Sequence, residues 1–162
     1  MSDIPVRLAA VRADLGLDNI DALIVPRADE YLGEYVPEQN ERLRWISGFA
    51  GSAGQVIVLR DRAAIFVDGR YTIQVRQQAP AECFEYRHLI DNPPVAWLCE
   101  TLAAGARVGV DTRLHTNAGF ESMQHQLAQN DIALVEISEN FIDKHWHDRP
   151  QPQIKSAELL DE

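Results

Sequence analysis

Residues 55–67 read Gln55-Val56-Ile57-Val58-Leu59-Arg60-Asp61-Arg62-Ala63-Ala64-Ile65-Phe66-Val67. Two β-branched or apolar runs flank a three-residue polar turn, and that pattern predicts an antiparallel hairpin. Toward the C-terminus, Asp68-Gly69-Arg70-Tyr71 follows at once. Residues 71–78 then read as helix, with Tyr71 and Val75 four apart, until Pro80 ends it. Residues 83–88 suit a strand, 95–102 a helix entered after Pro93-Pro94, and 108–110 another strand. Thr116 can cap a helix running to about Asn130, and 133–137 forms a last strand. Toward the N-terminus, residues 41–47 read as a short helix closed by Gly48. Residues 27–40 show no sustained periodicity and read as a loop. Residues 22–25 form an apolar run stopped by Pro26, the pattern of a buried strand. Ile4, Leu8, Val11 and Leu15 then mark an amphipathic helix, with Ser2 or Asp3 as cap, Pro5 in the first turn and Gly16 at its end. Helices alternating with strands around one hairpin predict an α/β domain with a mixed sheet.

The 162 residues suffice for one domain, and an apolar fraction of 46% supplies its core. Fifteen basic against 25 acidic side chains leave a formal charge of −10, which opposes binding to nucleic acid or to an anionic membrane surface. Cys83 and Cys99 read as reduced thiols. No signal peptide opens the sequence and no apolar run approaches the ~20 residues of a membrane-spanning helix. The expected compartment is the cytoplasm. From Asp148 the composition turns to Asp-Arg-Pro-Gln-Pro-Gln, linker chemistry, so the boundaries read as a domain at 1–148 and a linker with the start of a further domain at 149–162.

Gly48-Phe49-Ala50-Gly51-Ser52-Ala53-Gly54 lies between a helix and a strand. A phosphate-binding loop runs the other way, from strand to helix N-terminus, so a close-packed turn needing positive φ is the better reading. In Asp68-Gly69-Arg70-Tyr71, Gly69 suits a turn and Asp68 a cap. Arg70 follows a strand end, where its forked guanidinium could meet a peptide carbonyl or carboxylate. His145-Trp146-His147-Asp148 offers two imidazoles and a carboxylate, but a third ligand would have to come from elsewhere. Beside a proline-rich linker it reads as a solvated segment. Neither H-E-x-x-H nor G-x-S-x-G occurs, so the residues alone imply no catalytic and no metal-ligating set.

Tyr35-Val36-Pro37, Arg44-Trp45-Ile46-Ser47-Gly48-Phe49, Gly51-Ser52-Ala53-Gly54, Asp68-Gly69-Arg70-Tyr71, Val108-Gly109-Val110-Asp111, Asn140-Phe141-Ile142-Asp143 and Trp146-His147-Asp148-Arg149-Pro150 occur in that order. Together they resemble the creatinase-type N-terminal domain of the aminopeptidase P family, in its long cytosolic branch. The resemblance implies a mixed sheet of about six strands flanked by helices, with a ribonuclease H-like motif. It also implies a parent enzyme that removes the first residue from peptides with proline second. Two divalent metal ions, usually manganese, would sit in a C-terminal catalytic domain, and none of their ligands maps onto this sequence. The family's cleft-facing arginine maps onto Arg70, as a substrate contact outside bond cleavage. Middle and catalytic domains of the same chain, and a homodimer of the full-length enzyme, are the implied partners. The alternatives are a free-standing binding module of this fold, or the N-terminal domain of a creatinase or prolidase. A domain cut from its neighbours is also expected to leave a docking face, placed near Trp45, Phe49 and Tyr71 unless those rings are core.

Overall fold

The computed structural model describes residues 3–152, so most of the linker and domain start expected at 149–162 lies outside the described residues. In order come α1 (Ile4–Leu17), β1 (Ala22–Pro26), α2 (Arg42–Ser47), β2 (Gly54–Leu59), β3 (Ala63–Val67), α3 (Gln74–Gln78) and β4 (Glu85–His88). After them come α4 (Pro94–Thr101), β5 (Arg107–Val110), α5 (Asn117–Ala128), β6 (Ala133–Glu136) and α6 (Phe141–His145). The hairpin forms as expected, with Val56 opposite Ile65 and Val58 opposite Ala63. It sits inside a six-stranded sheet of order β4-β3-β2-β1-β5-β6. β1 is antiparallel to β2 and parallel to β5, β5 is parallel to β6, and β3 is antiparallel to β2 and parallel to β4. Among the described residues β2 alone is therefore reversed, and the C-terminal ends of the other five strands share one edge.

Both faces of the sheet are covered, which is why its central strands β1, β2 and β3 are mostly apolar, Gln55 at the start of β2 being the polar exception. On one face Val56, Val58, Ile65 and Val67 pack with Leu8, Val11 and Leu15 of α1, Ile46 of α2, and Phe141 and Ile142 of α6. On the other, Ile57, Leu59, Ala64 and Phe66 pack with Trp97 and Leu98 of α4 and Leu127 of α5. The two-residue alternation divides the central strands between these cores. The Phe66 and Trp97 rings meet edge to face, 5.6 Å between centroids.

Several local expectations change. Asp3 stands at the N-cap of α1 without a side-chain capping bond, and Gly16 lies within the helix, which ends instead at Asp18 and Asn19 (φ 53°). The helix expected at 71–78 becomes a 3-10 turn, Gly69–Tyr71, followed by α3, because the Asp68 side chain accepts from the Arg70 N–H. α6 was not foreseen. Asn140 caps it, its side chain accepting from the N–H groups of Ile142 and Asp143.

Of the three rings expected near a docking face, Trp45 and Phe49 belong to the core at 7% and 1% exposure, which corrects the expectation for those two. Trp45 lies against Trp146, 6.1 Å between centroids, with the Arg7 guanidinium 4.8 Å from its ring centre. Only Tyr71 is partly open. The large exposed apolar side chains are elsewhere. Tyr31, Leu32, Tyr35, Ile73 and Ile90 lie on loops at the strands' C-terminal edge, and Val6 and Leu17 on α1.

Candidate functional site at the C-terminal edge of the sheet

The glycine-rich segment is a packed turn that enters this edge. Gly48 has φ +79°, and a Cβ there would meet the Gln78 carbonyl oxygen at 2.8 Å. Gly51 and Gly54 serve a different purpose, because a Cβ on either would collide with the Phe49 ring that they enclose. The buried Ser47 hydroxyl donates to the Leu43 carbonyl and accepts from Phe49 N–H, and Gln78 Oε1 accepts from Ala50 N–H at 2.9 Å. These donors and glycines are committed to holding Phe49. Positive φ, expected along the segment, is needed at Gly48 only.

Asp68-Gly69-Arg70-Tyr71 leans on that turn. Tyr71 Oη and Ser52 Oγ are 2.6 Å apart, and the Tyr71 ring meets Phe49 edge-on at 5.6 Å. The Ser52 hydrogen bond draws the Tyr71 phenol below its ordinary pKa. Asp68 Oδ1 accepts from the Arg70 N–H at 2.9 Å. The same carboxylate takes the side-on edge of the guanidinium, Nε to Oδ1 and Oδ2 at 3.1 Å and Nη2 to Oδ2 at 2.6 Å. The Arg70 side chain is 68% exposed and its Cζ lies 5.2 Å from the Tyr71 ring centre. The hydrogen bonds from Arg70 hold the Asp68 carboxyl below its usual range.

Sequence reading missed a second copy of this arrangement. After β5, Asp111-Thr112-Arg113 forms another 3-10 turn in which Asp111 Oδ1 accepts from Arg113 N–H and Nε, and Oδ2 from Nη2 at 2.7 Å. Asp111 is 5% exposed and also accepts from Asn140 Nδ2 at 2.9 Å. Burial raises its pKa, but the hydrogen bonds from Arg113 and Asn140 outweigh that and hold it low. An Asp-x-Arg pattern at two strand ends was the available signal.

Arg42 was missed as well. Its side chain is 1% exposed, and it binds Glu30 at 2.7 Å and both oxygens of Asp143. That network fastens the loop after β1 to α2 and α6. Arg149 adds an ion pair to Asp143 at 3.0 Å and a hydrogen bond to Asn40 Oδ1, so the residue just past the expected boundary is bonded to the domain.

His145-Trp146-His147-Asp148 does not gather into a site. His145 is bonded to Asp14 at 2.6 Å, where Lys144 also binds, whereas His147 and Asp148 are exposed. The solvated reading fails for His145, because α6 lays it against α1. Among the described residues no group of three or more His, Cys, Asp or Glu is placed to hold a metal ion, and the implied metal pair does not fit them. No described helix is long and apolar enough to cross a membrane.

The mixed six-stranded sheet flanked by helices defines a fold class, and comparison with known proteins agrees. Residues 7–144 match the model of the creatinase/prolidase N-terminal domain, and the chain belongs to that family. It is 32% identical to rat Xaa-Pro aminopeptidase 2 over 91% of its own length, and 35% identical to aminopeptidase P2 of Arabidopsis thaliana over 88%. It spans 22% and 21% of those two proteins. The solved X-prolyl aminopeptidase of Caenorhabditis elegans, described as a cytosolic enzyme with a di-nuclear active site, superimposes with TM-score 0.85. The match has 27% identity and covers 93% of this chain and 26% of that one.

Proposed function

We propose that this chain is the non-catalytic N-terminal domain of a metal-dependent Xaa-Pro aminopeptidase, which removes the first residue from peptides with proline second. The observation that carries the reading is similarity over about nine-tenths of the chain to enzymes of that name, of which it spans only about a fifth. In this reading residues 1–148 form the domain and 149–162 lead toward the next. The two divalent ions, manganese by family resemblance, belong to the later catalytic domain, where they would activate water and stabilise the tetrahedral intermediate. This domain shapes the substrate cleft with the loops at the C-terminal edge of its strands, where open α/β sheets place ligands. Arg70 contacts the peptide there. A cytoplasmic location and a full-length homodimer complete the proposal.

The test uses the complete reading frame and the 162-residue chain side by side. With an Xaa-Pro tripeptide and manganese, the full-length protein is expected to release the first residue and to lose activity with a chelator. The 162-residue chain is expected to show neither turnover nor a stoichiometric metal. Turnover by the short chain, or a reading frame that ends without a catalytic domain, overturns the reading.

A further inference from the structure

We propose that Asp68 is a positioning residue for substrate, one that aims Arg70 by gripping one edge of its guanidinium and leaving the opposite edge open. The inference rests on the reading of Arg70 as a substrate contact and extends it to the group that controls it.

A guanidinium has five N–H donors, four of which form two forks. Asp68 occupies the side-on fork, Nε with Nη2, through contacts of 2.6 to 3.1 Å. The end-on fork, Nη1 with the second Nη2 hydrogen, has no hydrogen-bond partner among the described residues and belongs to a side chain that is 68% exposed. That fork has the geometry for bidentate capture of a carboxylate, or for a single carbonyl. Three restraints point it in one direction. The Asp68 carboxylate fixes the guanidinium plane, and its bond to the Arg70 N–H ties that plane to the backbone turn. Tyr71 lies beside the group, itself anchored by Ser52 and by the buried Phe49 ring. The path from the core to the arginine is continuous, and it restrains a long side chain before any ligand arrives. Ordering such a side chain at the moment of binding would otherwise weaken affinity. The competing description is an exposed surface ion pair, which contributes little to anything.

Asp68→Asn separates the two. Asparagine retains an acceptor oxygen for the Arg70 N–H, so the turn is preserved, while the charged two-oxygen grip on the guanidinium is lost. In the full-length enzyme, steady-state kinetics on an Xaa-Pro tripeptide are measured for Asp68→Asn, Arg70→Ala and the double variant, with thermal melting of each. The expected result for Asp68→Asn is a KM raised about 2- to 12-fold, with kcat and melting temperature unchanged. The double variant should match Arg70→Ala alone, because Asp68 has nothing left to aim. A normal KM in Asp68→Asn beside a raised KM in Arg70→Ala overturns the positioning role and leaves the reading of Arg70 intact. So does full additivity in the double variant. Unchanged kinetics in Arg70→Ala remove Arg70 from the site and take this proposal with it.

Discussion

The two Asp-x-Arg turns share a local geometry and differ in everything around it. Both follow a strand that ends on the same edge, and in both one carboxylate holds the backbone N–H and the side-on fork of the arginine two residues on. Asp68 has Arg70 as its hydrogen-bonding partner and retains 21% side-chain exposure, whereas the Asp111 side chain is at 7% and also receives the Asn140 amide. Asn140 in turn caps α6, so the second turn fastens an element of the core. The first rests on Phe49 and Tyr71. Both arginines are exposed, at 68% and 58%, so the two turns differ in the burial of the acid and in what the acid and its neighbours are packed against.

The sharpest way to break this comparison is to truncate each arginine in the full-length enzyme. Arg70→Ala is expected to lower kcat/KM on an Xaa-Pro peptide about 10- to 150-fold, chiefly through KM, as loss of a hydrogen bond to a charged group does. Arg70→Lys should recover part of this, because an ammonium lacks the fork. Arg113→Ala should leave kinetics unchanged. Equal effects at the two positions would erase the distinction.

Stability should follow the reverse order. Asp111→Ala removes the acceptor for Arg113 and strands the Asn140 amide, at a cost of about 2–3 kcal/mol in urea unfolding of the 162-residue chain. Arg113 keeps its solvation at 58% side-chain exposure, so the larger penalty of orphaning a buried charge does not apply. Asp68→Ala should leave the urea midpoint nearly unchanged. Asn140→Ala should fall between them, at about 1–2 kcal/mol, through loss of the α6 cap and of the bond to Asp111.

The pH dependence gives a finer and smaller signal. The folded pKa of Asp111 is depressed, so its stabilisation is present above the unfolded value near about 3.9 and is lost as pH falls through the lower folded value. The stability difference between the parent chain and Asp111→Asn should hold steady from about pH 6 to about pH 5, then shrink as acid is added. A difference that grew on acidification would reverse the sign and exclude Asp111 as the anchored acid. For Asp68, which is partly exposed, the corresponding difference should shrink in high salt.

Periodicity and turn chemistry determined most of the architecture. The Val56–Phe66 region could only pair across a short polar turn, and Ile4, Leu8, Val11 and Leu15 could only form one face of a helix. Ordered motifs determined the family, and the match over residues 7–144 agrees with that. What periodicity cannot carry is any bond between groups far apart in the chain. Arg42 carries no signal within its short helix, and only the fold brings Asp143, 101 residues away, to its guanidinium. His145 reads as solvated until Asp14, 131 residues away, meets it. Trp45 and Phe49 read as a docking face until Trp146 and two glycines close over them. The same holds for the two acids at the strand ends. Asp68 reads as a cap and Asp111 carries no reading of its own, and only the packing of Asn140 and α6 buries the second acid while the first stays partly exposed.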